Sequence, residues 1–314
     1  MRLAALSIDL DEISCYTAVH GLSEAPDETR WAVYERALPR IEQVLNQRGL
    51  RATFFVVGDD LHSYVVQEAV ARLHRNGHEI ANHSQGHCYD LTRLPEAEIE
   101  YQIDACSNAI AAITGSRPIG FRAPGYTVNE QVLDTLQALD LAYDSSVFPC
   151  PAYYLAKGAK LAAMRVEGRS SRSIMDDPRV LTSPADPYRV GQNYRRRGSG
   201  LLELPIGVTR GRTGRLPYIG TSLILAGHKG AKWLTRAIVG RPLVNLELHG
   251  IDFSSAEEDG LGYLRPHQPD LRVPIKNKQE IIAGAIDGLI KRGYRFVTLA
   301  EATSHFGRAR RTTP

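Results

Sequence analysis

The segment Glu79-Ile80-Ala81-Asn82-His83-Ser84-Gln85-Gly86-His87 places two histidines four residues apart, directly after a short apolar stretch. Imidazole is the commonest transition-metal ligand among side chains. Two imidazoles at this spacing can reach one ion from a helix face, or from a loop that turns at a small residue, here Gly86. Surface histidines also occur at this spacing by chance. The segment therefore indicates a metal site only if other parts of the chain supply further ligands.

On both sides of this segment, short β-branched or aromatic runs alternate with stretches of helical periodicity. The predicted strands are 3–10, 52–58, 79–82, 119–122, 141–144, 201–205, 244–249 and 295–299, and the predicted helices are 28–49, 65–76, 95–115, 130–140 and 277–292. Strands that alternate with helices of ten to twenty residues are typical of parallel βα units. The pattern predicts an α/β fold.

Residues 149–242 depart from this regular alternation. Gly, Pro, Arg and Ser are frequent there, and only the strand at 201–205 and an amphipathic helix candidate at 229–241 interrupt the loose pattern. The chain has 314 residues, of which 43% are hydrophobic, and a single α/β barrel commonly has this length. We therefore predict one catalytic domain over residues 1–314, with an insertion at about 149–242.

Four predicted strands end in polar, reactive side chains. They carry Asp9 with Asp11, then His83, Arg122 and His249. Taken singly, the two acids could cap a helix or face solvent, the arginine could be a surface charge, and His249 could be a core histidine. In parallel α/β folds, however, functional sites gather at the carboxyl ends of strands. The joint occurrence predicts one pocket that contains all of them.

These residue types predict a particular chemistry. Two histidines, one carboxylate and an open position suit a catalytic ion such as Zn²⁺. Such an ion lowers the pKa of a bound water to about 7 and polarises a carbonyl oxygen. A second carboxylate could accept the proton of the water, and a further histidine could protonate a leaving amine. The set therefore indicates metal-assisted hydrolysis of an amide.

The same stretches resemble the motifs of a known family, the NodB-homology polysaccharide deacetylases (carbohydrate esterase family 4). Residues 7–12 resemble its acidic first motif, 83–87 its H-[ST]-x-x-H motif, 121–126 its arginine-proline motif and 246–250 its last histidine motif. The resemblance extends over about residues 1–150 and 240–302, and the four motifs occur in the family's order.

This resemblance implies a distorted (β/α)7 barrel and removal of an N-acetyl group from an amino sugar. It makes Asp9 the general base and His249 the general acid, with Arg122 orienting Asp9. The implied ligands of a divalent metal, expected to be Zn²⁺, are Asp11, His83 and His87. It also implies that a backbone N–H near 125–126 helps to hold the oxyanion.

The chain departs from the family pattern at two points. The commonest first motif has two adjacent acids, whereas Leu10 here separates Asp9 from Asp11. The family's fourth motif, an aspartate with a tryptophan, is not evident. Asp144 and Asp252 are the two candidates left for orienting His249.

Other functions remain open at the level of sequence. The same pocket could serve a deformylase of a lipid-linked amino sugar, or a hydrolase of a small cyclic amide or imide, because the chemistry at the metal would be the same. A non-catalytic glycan-binding barrel would be expected to lack part of the set Asp9, Asp11, His83, His87 and His249, and all five are present.

Composition also bears on partners and location. A net charge of +3 gives no argument for nucleic acid. The apolar N-terminus meets acids too early for a signal peptide, and the four scattered cysteines suit reduced thiols, so we expect a cytoplasmic protein. A basic, aromatic stretch (Lys229, Lys232, Trp233 and Arg236) could rest on the inner face of an anionic membrane or be an ordinary surface helix. An N-acylated sugar is the expected substrate, with a lipid-linked one as a variant.

Overall fold

The computed structural model describes residues 2–211 and 214–307, and its centre is one curled sheet. The strands are β1 Arg2–Asp9, β2 Thr53–Val56, β3 Glu79–Asn82, β4 Gly120–Phe121, β5 Tyr143–Asp144, β6 Tyr188–Val190, β7 Arg197–Glu203, β8 Leu243–His249 and β9 Tyr294–Phe296. The helices are α1 Ile13–Val19, α2 Leu38–Asn46, α3 Tyr64–Arg75, α4 Glu96–Thr114, α5 Glu130–Ala138, α6 Pro151–Val166, α7 Gly220–Ile238, α8 Ile275–Ile290 and α9 Leu299–Phe306.

Seven parallel strands form the wall of the barrel in the order β7-β5-β4-β3-β2-β1-β8. Strand β6 is antiparallel to β7 at one edge, and β9 runs beside the first residues of β1. The segment after β7 approaches β8 closely, because the Gly207 N–H donates to the Asn245 carbonyl at 2.9 Å. A Cβ at Gly207 would lie 2.5 Å from that oxygen, so a glycine is needed there. The expected distorted (β/α)7 barrel is confirmed.

The two faces of the central strands differ in a regular way. On β1, Ala4, Leu6 and Ile8 pack outward in the core beneath the helices, whereas Leu3 and Ala5 fill the barrel interior. Strand β8 repeats the alternation in register, with Leu3 beside Leu243 and Asp9 beside His249. Because side chains alternate along a strand, the inward rows change from apolar at the amino end to polar at the carboxyl end. The polar end is where a site can form.

Several predicted boundaries differ from those observed. Helix α7 begins at Gly220 rather than at residue 229 and passes through Gly227, whose φ is +64°. The predicted strand 201–205 is the end of a longer strand, β7, which belongs to the barrel wall. Part of the segment 149–242 is therefore barrel. The last predicted strand, 295–299, stops early because Thr298 caps helix α9. None of the helices within the described residues combines the length and the apolar character that crossing a membrane requires.

Candidate active site

The side chains predicted to share a pocket meet at the carboxyl ends of the strands. Asp9, Asp11, His83 and His249 line a cavity of about 480 Å³. His87 and Arg122 contact two of these residues: His87 Nε2 lies 3.2 Å from Asp11 Oδ1, and Arg122 Nη1 lies 2.6 Å from Asp9 Oδ1. The structure thus brings together all six predicted side chains.

Asp11, His83 and His87 form a compact set of metal-ligating atoms. Asp11 Oδ1 lies 3.2 Å from His83 Nε2 and 3.2 Å from His87 Nε2. Ligands of a tetrahedral zinc ion lie about 3.3 Å apart, because each is about 2.0–2.1 Å from the ion. His83 Nδ1 donates to the Arg122 carbonyl at 2.7 Å, which leaves the Nε2 lone pair for a metal. His87 Nε2 and Asp11 Oδ1 are buried without a hydrogen-bond partner. The three residues fit a divalent cation.

A loop, not a helix, brings the two histidines together. Ser84 and His87 adopt φ values of +64° and +50°, which residues other than glycine rarely do. Hydrogen bonds hold this conformation: Asn82 Oδ1 accepts from the Ser84 N–H, and Gln102 Oε1 accepts from the Gly86 N–H, both at 2.8 Å. The turn aims both Nε2 atoms at Asp11.

The ionised groups in this site influence one another. Burial by itself raises the pKa of Asp11, but the nearby imidazoles of His87 and His83 bring that pKa well below its usual range. For Arg122, burial lowers the pKa, yet the charges of Asp9 and Glu247 raise it above the ordinary value. The carboxylate of Asp11 and the guanidinium of Arg122 therefore stay charged.

Arg122 holds Asp9 in place from inside the barrel. Its side chain is fully buried; Nη1 donates to Asp9 Oδ1 at 2.6 Å, and Nη2 donates to Ser7 Oγ at 2.8 Å. Nε donates to the Ser145 carbonyl at 2.9 Å, and the guanidinium lies over the Phe55 ring. The other oxygen, Asp9 Oδ2, lies 3.9 Å from His83 Nε2. One oxygen of Asp9 is thus fixed, and the other faces the ligand set.

Glu247 is a functional residue that the sequence reasoning missed. Its side chain is fully buried, and its Oε1 lies 2.9 Å from His249 Nδ1. Burial lowers the pKa of His249, but the charge and hydrogen bond of Glu247, with Asp11 and Asp9 further away, raise it well above its usual value. The signal was present, because Glu247 precedes His249 by two positions on a strand and so shares its face.

The two candidates for orienting His249 were wrong. Asp144 Oδ1 accepts from the Ser146 hydroxyl at 2.6 Å, and Asp252 Oδ2 accepts from the backbone N–H of His249 at 2.9 Å, so neither carboxylate contacts the ring. The backbone N–H of Tyr126, which lies in the segment predicted to hold the oxyanion, is already used, because it donates to the Ala123 carbonyl at 3.0 Å. The hydroxyl of Tyr126 instead faces the site, 3.3 Å from His249 Nε2.

The segment with the loose sequence pattern supplies the outer walls of the cavity. Helix α6 contributes Tyr153, Leu161 and Met164, and the start of α7 contributes Leu225, with Ile219 just before it. Apart from Lys157 and Lys160 of α6, these walls are largely apolar, while Asp9, Asp11, His83 and His249 lie at the base. The arrangement suits a substrate whose polar reacting group enters first.

Comparisons of the sequence with known proteins point to deacetylases. Residues 29–143 match the family described as polysaccharide deacetylase. A peptidoglycan deacetylase-like protein of Gibberella zeae is 26% identical over 196 residues, which are 58% of this chain and 57% of that protein. A chitooligosaccharide deacetylase of a Bradyrhizobium species is 36% identical over 107 residues, 33% of this chain and 47% of that protein. The chain thus spans only about half the length of these curated relatives.

A solved structure shows the same fold. The crystal structure named as a polysaccharide deacetylase from Mycobacterium smegmatis superposes with a TM-score of 0.60 over 97% of this chain and 90% of that one, at 18% identity. At that identity, the likeness concerns the arrangement of strands and helices.

Proposed function

Because the chain belongs to the polysaccharide deacetylase family, we propose that it is a metal-dependent hydrolase that removes the N-acetyl group of an amino-sugar substrate. The observation that carries this proposal is the convergence of Asp11, His83 and His87 on one point, beside Asp9 and His249 in the same cavity. A triad of ligands with a separate carboxylate and imidazole offers a metal site, a base and an acid, which suits metal-assisted hydrolysis of an amide.

Asp11, His83 and His87 would hold a divalent ion, for which we propose Zn²⁺, and such an ion supplies an acidic water and polarises an amide carbonyl. Asp9 Oδ2 then accepts a proton from the attacking water. Arg122 donates to Oδ1 and so fixes the orientation of Asp9. Asp9, held by Arg122, is therefore the one positioned base for the attack of the water.

His249 acts on the other side of the scissile bond. Its raised pKa keeps the imidazole protonated near neutral pH, so Nε2 can donate a proton to the amide nitrogen as the C–N bond breaks. Glu247 stabilises the imidazolium and fixes the ring through Nδ1. The products are acetate and the free amine of the sugar.

The test combines metal analysis with mass spectrometry of N-acetylated oligosaccharides. We expect about one equivalent of metal and the loss of acetyl groups from at least one oligosaccharide. His83→Ala should lose both the metal and the activity, whereas the matched variant His62→Ala should retain both, because His62 is exposed and lies outside the cavity. A metal-free preparation with full activity would overturn the proposal.

We also propose a peripheral membrane contact through α7 and, with it, a lipid-linked sugar as substrate. The support is Trp233, which is 47% exposed, on the helix that carries Lys229, Lys232 and Arg236. Sedimentation with anionic vesicles but not with neutral ones, lost in Trp233→Ala, is the expected result. Equal sedimentation of wild type and variant would contradict it. The cytoplasmic location stays a prediction.

A further inference from the structure

Helix α6 contributes two lysines to the wall of the cavity, beside its apolar residues Leu161 and Met164. Leu155 and Val166 are 71% and 89% exposed, whereas Lys157 and Lys160 line the catalytic cavity. Lys157 is half-buried there, which costs solvation of its amine that packing does not return, whereas Lys160 is exposed. The half-buried amine of Lys157 therefore calls for a partner inside the cavity, and Lys160 lies on the same side of the helix.

The protein itself provides little of that partner. Lys157 Nζ donates to the Gly125 carbonyl at 3.1 Å, and Lys160 Nζ donates to the His267 carbonyl at 3.2 Å. Among residues 2–211 and 214–307, no carboxylate oxygen lies within the 4 Å of an ion pair from either ammonium. Asp270, which attracts Lys160 at longer range, is already paired with Lys278 at 3.0 Å. The two amines are hydrogen-bonded but lack a counter-charge in contact.

The pKa values of both lysines are lowered, as expected for amines without a counter-charge in contact. Burial lowers the pKa of Lys157 to about 8, with Asp176 opposing the effect from a distance. Burial also lowers the pKa of Lys160, and the nearby charge of Arg169 lowers it further. An anion placed between the amines would relieve both effects, because an opposite charge favours the protonated form.

The lysines are also close to the reacting groups. They lie three residues apart and so share one side of α6. Lys157 contacts Gly125, and the next residue, Tyr126, places its hydroxyl 3.3 Å from His249 Nε2. A group bound by Lys157 would thus be near the sugar that carries the scissile amide. Leu161 and Met164 on the same helix are uncharged, and the carboxylates that line the cavity, Asp9 and Asp11, belong to the reacting groups.

The geometry points to a substrate that carries an oxyanion, a phosphate or a carboxylate, which Lys157 and Lys160 bind in the catalytic cavity. This inference rests on the proposed deacetylase function and specifies its substrate class. The lysines are specificity-determining residues here, since they touch the substrate away from the scissile bond.

The test measures kcat/KM for matched neutral and anionic substrates. One pair is the methyl glycoside of N-acetylglucosamine and N-acetylglucosamine 1-phosphate. The other is a chitin oligosaccharide and a peptidoglycan fragment that bears lactyl carboxylates, so the pairs distinguish a phosphate from a carboxylate. Wild type should prefer one anionic member by roughly tenfold or more, as expected for a charged hydrogen bond.

Lys160→Gln is the principal variant, because Lys160 contacts only a backbone carbonyl of a surface loop. It should reduce the anionic preference by roughly tenfold, mainly through KM. Lys157→Gln should do the same, although it also loosens the Gly125 turn. Lys276→Gln, at an exposed lysine outside the cavity, is the control and should keep the preference. Salt at about 0.5 M should weaken the preference through screening.

Binding of N-acetylglucosamine 1-phosphate and of the peptidoglycan fragment, measured by calorimetry on the same proteins, separates the two proposals. Lysine-dependent binding of either one without turnover of any substrate would overturn the deacetylase function and leave the anion site standing. If the neutral members are used as well as the anionic ones, or if Lys160→Gln leaves the preference and the binding unchanged, the anion site is wrong.

Discussion

The substitution Glu247→Gln isolates the role of a residue that only the structure identified. It keeps the size and a hydrogen-bond acceptor at His249 Nδ1 but removes the negative charge. The wild-type contact is 2.9 Å long, and the Glu247 side chain is fully buried, so solvent screens it little. We expect the imidazole of His249 to lose its proton at a lower pH in the variant, because the charge of Glu247 is the largest influence that raises its pKa.

The size of the effect follows from the type of contact. A hydrogen bond between charged groups contributes about 1.5–3 kcal/mol, and about 1.4 kcal/mol corresponds to a tenfold change. If the bond stabilises the imidazolium that protonates the leaving amine, kcat should fall roughly 10- to 100-fold at neutral pH. KM should change little, since Glu247 does not line the cavity.

The assay is the pH dependence of kcat, together with an NMR titration of the His249 ring. The alkaline limb of the rate profile reports the loss of the proton from the catalytic acid. Because the pKa of His249 should be lower without the charge of Glu247, this limb should move to lower pH in the variant, and the deficit should be smaller at pH 5.5 than at pH 8. Glu79→Gln is the matched control, because Glu79 lies at the opposite end of the barrel, bound to Thr53 and Tyr143.

An unchanged alkaline limb in Glu247→Gln would refute this reasoning, whatever the loss of rate. It would mean that His249 is not the acid, or that Glu247 serves only to hold the ring. If the NMR titration of His249 shifts but the rate profile does not, His249 is not the acid.

Three further predictions concern the base, the metal and the buried arginine. Asp9→Asn should lower kcat about 10²- to 10⁴-fold while about one equivalent of metal stays bound; loss of the metal instead would show that Asp9 and Asp11 have exchanged roles. A chelator should abolish activity and added Zn²⁺ should restore it, and full turnover of the chelated protein would exclude the ligand set Asp11, His83 and His87. Arg122→Met should destabilise the fold by about 3–5 kcal/mol in urea unfolding, because it leaves Asp9 buried and unpaired. The control Arg117→Met should cost at most about 1 kcal/mol, because Arg117 and its partner Asp104 are 45% and 41% exposed. Equal costs for the two variants would contradict the importance of the buried pair.

Much of the fold could be predicted from local patterns. Strand β3 was predicted with its observed bounds, Glu79–Asn82, because the apolar pair Ile80-Ala81 lies between the helix stop at Gly77 and the polar segment that starts at His83. Strand β7 was harder, since its first half, Arg197–Gly200, is exposed or half-buried and has no apolar pattern. Helix α7 began earlier than predicted because the glycines near its start weaken helical periodicity.

The candidate site, like the fold, was predicted only in part. The sequence by itself determined that Asp9, Asp11, His83, Arg122 and His249 meet, because each follows a strand and parallel strands end at one rim of a barrel. Only the tertiary structure decided which group contacts which: Glu247 rather than Asp144 or Asp252 binds the His249 ring, and Lys157 and Lys160 face the cavity. The physical reason is that a strand end locates a side chain to within a few ångströms, whereas a hydrogen bond or an ion pair depends on a separation of about 3 Å. That separation is set by the packing of segments distant in the chain.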